Sequence, residues 1–167
     1  MAATSSGTAT VTLPTDRQIL ITREFDAPRH LVYKAWTTPE LVKRWWNAKR
    51  GEVTIAEIDL RVGGKWRWVM IADGGLEVGF HGEYLEIVPG EKIVSSEVYE
   101  GLPEGVSEED GSTVNTATFT EEDGRTTLTL LIQAANKTSR DAIIESGMED
   151  GLQDALDLLE ETAQSIR

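Results

Sequence analysis

The sequence contains no cysteine, only two histidines and no long run of apolar residues. Without cysteine the chain can form no disulfide framework, no thiol nucleophile and no zinc–thiolate site. No apolar segment approaches the roughly 20 residues that cross a bilayer, and the N-terminus lacks the basic start and apolar core of a signal peptide. We therefore expect a cytoplasmic protein with no membrane association, no metal and no cofactor.

Basic residues are scarce, since 16 Lys and Arg stand against 29 Asp and Glu and give a net charge of −13. The imbalance is uneven: positions 17–67 hold eleven basic and six acidic residues, whereas the rest of the chain holds five and twenty-three. A strongly acidic chain repels nucleic acid, so no nucleic-acid partner is expected. A solvated surface accounts for the acidic excess more simply than a specific cationic partner does.

The length of 167 residues, with 40% hydrophobic and 27% charged residues, is typical of one globular domain. The first residues are rich in Ala, Thr and Ser. We expect positions 1–15 to form a flexible leader and positions 16–167 to form a single domain.

Most of the chain has the pattern of β-strands. Gln18 to Phe25 alternates and is rich in β-branched residues, which predicts a strand. Proline at positions 28 and 39 then indicates the starts of two short helices. Turn signals such as Gly63-Gly64 and Asp73-Gly74 divide the next segment into strands. Six are expected, over positions 53–62, 65–71, 77–88, 91–99, 113–121 and 126–134. An acidic loop over positions 100–112 has no assigned role.

The C-terminal segment predicts one long amphipathic helix, capped by Thr138 or Ser139 and running to about Ser165. Its apolar stripe consists of Ile144, Met148, Leu152, Ala155, Leu159 and Ala163. Gly147 and Gly151 lie beside this stripe, and each costs about 1 kcal/mol of helix propensity relative to Ala. They indicate close approach by backbone, a large side chain or a ligand, with a simple helix flaw as the alternative.

This order of elements favours an α+β fold. An antiparallel sheet with one apolar face needs a cover, and the terminal helix can supply it. We expect a curved antiparallel sheet of six to seven strands wrapped around the long C-terminal helix, with the two short helices after the first strand. Strong curvature would leave a cavity between sheet and helix.

Few side chains suggest catalysis. His30 is expected at the surface of a helix, whereas His81 lies mid-strand and shares one side with Glu83. Such a pair could perform acid–base chemistry, but a solvent-facing pair is the favoured interpretation. Asp59 and Glu97 are mid-strand carboxylates that could bind a polar group of a ligand if they point inward. No catalytic residue is assigned.

Aromatic and apolar side chains offer the clearer prediction. On the strand from Lys65 to Ile71 the cationic residues should face water, which turns Trp66, Trp68 and Met70 inward. Pockets for small molecules are apolar with a few placed polar groups. The predicted ligand-binding residues are Trp46, Trp66, Trp68, Met70, Phe80, Tyr84, Glu97, Tyr99, Met148, Leu152 and Ala155.

A set of short motifs carries a family resemblance. They are Arg23-x-Phe25-x-Ala27-Pro28, Val32-x-x-Ala35-Trp36-Thr37-x-Pro39-Glu40, Trp45-Trp46, Asp59-x-Arg61-x-Gly63-Gly64-x-Trp66, Gly82-x-Tyr84 and Gly147-Met148-x-x-Gly151. Together they resemble the START-like (SRPBCC) superfamily, in the branch named after the activator of the heat-shock ATPase. The resemblance implies the helix-grip fold. Many relatives have Trp where this chain has Leu152, and the smaller side chain would enlarge a pocket near the helix.

The superfamily includes carriers of hydrophobic ligands, polyketide aromatase/cyclases and chaperone activators, so three functions stay open. Binding of a small hydrophobic or aromatic ligand, without catalysis, is the preferred one. The second is a cyclase or dehydratase acting on a polyketide-like substrate through residues among Asp59, His81, Glu83, Glu97 and Tyr99. The third is a chaperone-cofactor or self-associating interaction module, supported only by the uneven charge and the resemblance.

Overall fold

The structure is a computed structural model that describes residues 8–101, 105, 107 and 111–167. The predicted flexibility of positions 1–7 therefore lies outside the described residues. So does most of the predicted acidic loop, at positions 102–104, 106 and 108–110.

Within these described ranges the strands form one antiparallel sheet of eight strands. The strands are β1 (Thr10–Thr12), β2 (Gln18–Phe25), β3 (Gly51–Ile58), β4 (Lys65–Ala72), β5 (Glu77–Val88), β6 (Lys92–Tyr99), β7 (Ser112–Glu122) and β8 (Arg125–Ala134). Their order across the sheet is β1-β2-β8-β7-β6-β5-β4-β3. The prediction of six to seven strands is wrong because Thr10–Thr12, in the segment predicted as a leader, pairs with β2 through Val11 and Ile21.

The helices are α1 (Arg29–Thr37), α2 (Pro39–Trp45), α3 (Lys137–Glu145) and α4 (Met148–Ser165). The two short helices after β2 and the long C-terminal helix α4 are confirmed. The predicted start of the C-terminal helix is wrong: the chain leaves helical geometry at Gly147, whose φ is +82°. A left-handed glycine of this kind ends α3 and lets α4 begin in a new direction. The cap of α3 is Asn136, whose Oδ1 accepts a hydrogen bond from the Ser139 N–H at 2.8 Å.

Among the described residues, neither backbone nor a large side chain from another element closely approaches the two helix glycines. A Cβ atom added at Gly147 or Gly151 would meet no atom within 4 Å. Gly147 is required by its positive φ, where side chains are disfavoured. Gly151 lies inside α4 with open space around it, so approach by a ligand and a simple flaw in the helix both stay predictions.

Alternating burial divides the sheet into two faces. On β8 the side chains of Leu128, Leu130 and Ile132 are buried, whereas their chain neighbours are partly exposed. Residues directly opposite each other on antiparallel strands point to the same face, so the register extends this face across the sheet. We call it the inner face. Its residues form one core cluster with residues of α1, α2 and α4, and the opposite side is the outer face.

Two neighbouring residues of α4 reach opposite edges of the sheet. The Gln153 side chain makes two hydrogen bonds of 2.9 Å to the backbone N–H and carbonyl of Ala9, which directly precedes edge strand β1. The Asp154 carboxylate accepts a hydrogen bond of 2.6 Å from Arg50, which directly precedes edge strand β3. In a flat sheet, seven strand spacings would separate these edges by roughly 34 Å. The sheet must therefore curl around α4.

Candidate functional site

A small polar cluster lies on the inner face of the two central strands β6 and β7. Glu97 is directly opposite Thr113, and Ser95 is directly opposite Asn115. The Glu97 carboxylate accepts a hydrogen bond of 2.9 Å from Asn115 Nδ2 and a longer one of 3.4 Å from Thr113 Oγ1. We call these four residues the polar cluster.

Three residues of the polar cluster are less buried than their neighbours on the same face. Ile93 and Ala117, on the same two strands and the same face, are only 3% and 4% exposed. Glu97, Ser95 and Asn115 are half-buried instead. Strands β6 and β7 have neighbouring strands on both sides. The greater exposure of Glu97, Ser95 and Asn115 therefore comes from space on the helix side of the sheet. The end of the inner face around Glu97 is therefore the more accessible one, although Thr113 within it is only 6% exposed.

Glu97 is half-buried as a whole residue, but its carboxyl group lies in buried surroundings that control its chemistry. Its surroundings disfavour a charge and raise the pKa of the carboxyl group above its ordinary value. The hydrogen bonds from Asn115 and Thr113 act in the opposite direction and are the smaller effect. Glu97 is therefore more readily protonated than an exposed glutamate, and it can then donate as well as accept a hydrogen bond.

Aromatic rings line the inner face beside the polar cluster. Trp68 on β4 is opposite Phe80 on β5, which is opposite Tyr99 on β6. Trp46, directly after α2, packs against both Trp68 and Phe80 with ring-centroid distances of 5.7 and 5.9 Å. The Phe80 and Tyr99 rings are 5.1 Å apart. We call Trp46, Trp68, Phe80 and Tyr99 the aromatic wall. It ends two residues from Glu97 on the same face of β6.

Two buried polar atoms near these groups have no hydrogen-bond partner among the described residues: Trp68 Nε1 and Asn115 Oδ1. The other buried indoles differ. Trp45 Nε1 donates to the carbonyl of Ala35 at 3.0 Å. Trp66 Nε1 donates to the carbonyl of Ser96 at 3.2 Å. An unpaired buried donor or acceptor is unfavourable, so these two atoms mark a place where a bound molecule would be stabilised.

The remaining predicted site residues are buried in the core or pack against it. Trp66, Tyr84 and Ala155 belong to the buried core cluster. Met148 and Leu152 of α4 are partly buried and pack against that cluster. Met70 is buried near the end of β4, opposite Val53 and Val78. The structure thus places five of the predicted residues side by side: Trp46, Trp68, Phe80, Tyr99 and Glu97. Trp66, Tyr84 and Met70 are instead buried among other protein side chains.

Three of the residues considered for catalysis lie away from the inner face. His81 Nδ1 is 2.9 Å from Glu100 on the outer face, where Glu100 also accepts two hydrogen bonds from Arg67. Glu83 pairs with Lys65 at 2.6 Å, so the considered His81–Glu83 pair is not formed.

Asp59 follows β3 and pairs with Arg61 at the surface. His30 is exposed on α1, as expected. Of the five residues named for the enzyme alternative, Glu97 and Tyr99 are the ones that reach the inner face.

The polar partners of Glu97 were missed by sequence reasoning. Thr113, Asn115 and Phe119 occupy odd-numbered positions on one strand, and alternation places them on a common face. That pattern could have identified Asn115 once Phe119 was assigned to the core. The decisive information, the pairing of β6 with β7 in this register, is not local in sequence.

Two hollows in the described part of the protein lie elsewhere. One, of about 540 Å³, is lined by Pro28, His30, Leu31, Gly124, Ile166 and Arg167. The other, of about 300 Å³, is lined by Glu57, Lys65, Trp66, Arg67, His81 and Gly82. Neither is the cavity predicted between sheet and α4, which stays a prediction. Over the residues that the structure covers, no helix is long and apolar enough to cross a membrane.

An antiparallel sheet that curls around a long C-terminal helix, with two short helices after the first long strand, defines a START-like helix-grip domain. Residues 26–164 match the family model described as Activator of Hsp90 ATPase homolog 1-like protein, and the chain belongs to this family. A search of curated protein sequences gives no significant match.

Solved structures share the fold. A Rhodobacter sphaeroides protein superposes with a TM-score of 0.84 at 22% identity, over 94% of this chain and 99% of its own. A Mycobacterium smegmatis protein gives a TM-score of 0.80 at 21% identity, over 92% and 95%. A Chromobacterium violaceum protein is 27% identical with a TM-score of 0.71, over 86% and 95%. These likenesses support the fold.

Proposed function

We propose that this protein binds a small hydrophobic or aromatic ligand between the inner face of its sheet and helix α4, in the cytoplasm and without transforming the ligand. One observation carries the proposal: Glu97, Ser95 and Asn115 are only half-buried, directly beside the aromatic wall. Accessible aromatic surface with one or two placed polar groups is the usual character of a small-molecule site.

The aromatic wall suits a flat ligand. Its neighbouring rings meet mostly edge to face, with centroids 5.1–5.9 Å apart. A ligand ring can extend this arrangement, because aromatic pairs favour edge-to-face and offset contacts. On the helix side, the partly buried Met148 and Leu152 can adjust to the shape of a guest.

Catalysis has less support than binding. Glu97 is the one carboxyl group of the polar cluster, and its partners Asn115 and Thr113 are neutral. A cyclisation or dehydration needs proton removal and proton delivery, and this cluster supplies one titrating group for both. The cyclase or dehydratase alternative retains one supporting observation, the raised pKa of Glu97.

Calorimetric titration with naphthalene, backed by thermal shift with a panel of aromatic compounds, tests the proposal. We expect binding by the wild-type protein and at least tenfold weaker binding by Phe80→Ala, which removes the centre of the aromatic wall. Leu85→Ala is the matched control, because Leu85 is an exposed apolar residue on the same strand. Equal losses in both variants, or no binding by any member of the panel, would contradict the proposal. Conversion of a bound compound, detected by mass spectrometry, would favour the enzyme.

A further inference from the structure

We propose that the site selects an uncharged aromatic ligand that carries a hydrogen-bond acceptor for the Trp68 indole and a hydrogen-bond donor for the Asn115 amide. This inference rests on the proposed function and specifies the chemistry of its ligand. A ring system with a hydroxyl group towards each end has the required character, since each hydroxyl both donates and accepts.

The acceptor requirement comes from Trp68. Its side chain lies in the core cluster at 8% exposure, in ring contact with Trp45, Trp46 and Trp66. Its Nε1 is buried and has no partner within the described residues. An indole N–H can only donate, so the group that satisfies it must be an oxygen or nitrogen lone pair.

The donor requirement comes from Asn115. Its Nδ2 donates to Glu97 Oε2 at 2.9 Å, and this hydrogen bond fixes the orientation of the amide. The remaining Oδ1 is buried and has no partner in the part of the chain that the structure covers. A carbonyl oxygen can only accept, so its partner must bring an O–H or N–H group.

The two atoms lie towards opposite ends of one continuous lining. Trp68 is opposite Phe80, Phe80 is opposite Tyr99, and Tyr99 is two residues from Glu97, which contacts Asn115. A ligand that follows the aromatic wall therefore meets an N–H near one end and a carbonyl oxygen near the other. A ligand carboxylate would approach the Glu97 carboxyl group, which accepts hydrogen bonds from its own neighbours. Neither the aromatic wall nor the polar cluster contains a Lys or Arg side chain to compensate a ligand carboxylate, so a neutral ligand is favoured.

Four probes of the same ring size test the inference by calorimetric titration: naphthalene, 2,6-dimethoxynaphthalene, 2,6-dihydroxynaphthalene and 2-naphthoate. We expect the dihydroxy compound to bind at least tenfold more tightly than naphthalene. The dimethoxy compound, which only accepts, should regain a small part of that difference, and 2-naphthoate should bind most weakly.

Two variants assign the effect to the named atoms. Trp68→Phe and Asn115→Leu should each remove about tenfold of the preference for dihydroxynaphthalene. Because both residues belong to the site, the readout is the ratio of the two Kd values within each variant. Leu85→Ala, on the same sheet and outside the site, should keep the wild-type ratio. If either variant does not fold, the other variant and the four-probe series still decide the question.

The outcomes separate the two proposals. Equal affinity for naphthalene and dihydroxynaphthalene, or tightest binding of 2-naphthoate, overturns the selectivity inference and leaves the proposed function standing. Binding of none of the four probes overturns the proposed function and the inference with it. Tight binding of dihydroxynaphthalene that both variants retain overturns the assignment to Trp68 and Asn115.

Discussion

Arg23 of β2 donates a hydrogen bond to Asp157 of α4 at 2.8 Å while its own side chain is only 1% exposed. The second carboxylate beside it, Glu160, is 3.3 Å away, and the guanidinium lies over the Phe25 ring. A buried charge is tolerated only where opposite charges compensate it. The sheet and the C-terminal helix are therefore joined by an ionic contact at the border of the apolar core, with Arg23 buried and Asp157 partly exposed.

Replacement of Arg23 by Met should destabilise the protein by about 3 kcal/mol, because it removes one side of a buried ionic contact. Asp157→Asn should cost less, since Glu160 still compensates Arg23. The control is Arg125→Met: Arg125 pairs with Glu24 at 2.7 Å but is substantially exposed, so its loss should cost below about 1 kcal/mol. Urea denaturation measures all three. Equal costs at Arg23 and Arg125 would contradict the distinction.

Two glycines should respond to alanine with opposite signs. At Gly82 a Cβ atom would overlap the Ser96 carbonyl and lie 2.7 Å from Trp66 Nε1, so the Trp66–Ser96 hydrogen bond must shift. We expect Gly82→Ala to destabilise by about 3 kcal/mol, at the upper end of overpacking effects.

Gly151 is the matched control, because a Cβ there meets nothing within 4 Å inside helix α4. Gly151→Ala should stabilise by up to about 1 kcal/mol through helix propensity. Thermal unfolding of the two variants is the measurement. Destabilisation by Gly151→Ala would show that close approach at this glycine is real after all.

The alternation of the sequence was sufficient to predict the two faces of strands β4 and β5. It placed Trp66 and Trp68 inward and His81 and Glu83 outward, and the cross-strand pairs agree with this division. The two prolines were sufficient for the starts of the short helices. These features are local, since period and turn chemistry are encoded within a few residues.

The features that sequence reasoning missed depend on distant partners. Strand β1 has three residues, and its strand geometry comes from pairing with β2. The break at Gly147 depends on where α4 must pack, since helix propensity alone permits a continuous helix with a flaw. The Glu97–Asn115 contact joins residues 18 positions apart through the β6–β7 register. None of these can be deduced from periodicity within one segment.

On the outer face, Arg67 controls the ionisation of Glu100. Two hydrogen bonds of 2.9 Å from Arg67, with a further one at His81, lower the pKa of Glu100 to about 2. In Arg67→Gln this pKa should rise towards the ordinary value, because the neutral amide cannot replace a paired guanidinium. Side-chain NMR titration of the carboxyl carbon measures it. Lys65→Gln, which removes the partner of Glu83 on the same face, should leave the Glu100 titration unchanged.

Glu97 should make the protein less stable as the pH rises. Burial raises its pKa in the folded state above the unfolded value, so the folded protein holds its proton to higher pH. The contribution of Glu97 to stability is therefore fully present below its unfolded pKa, near 4.3, and is lost as the pH rises through its folded pKa.

The variant Glu97→Gln tests this pH dependence. It keeps an acceptor for Asn115 but cannot ionise, so it should gain stability relative to wild type over this window. Other carboxyl groups titrate here too, and the difference between the two proteins cancels them. A wild-type minus Glu97→Gln difference that does not change between pH 4 and 8 would show that the inner-face carboxyl group is fully solvated, and the accessible end of the inner face would then be an open aqueous cleft.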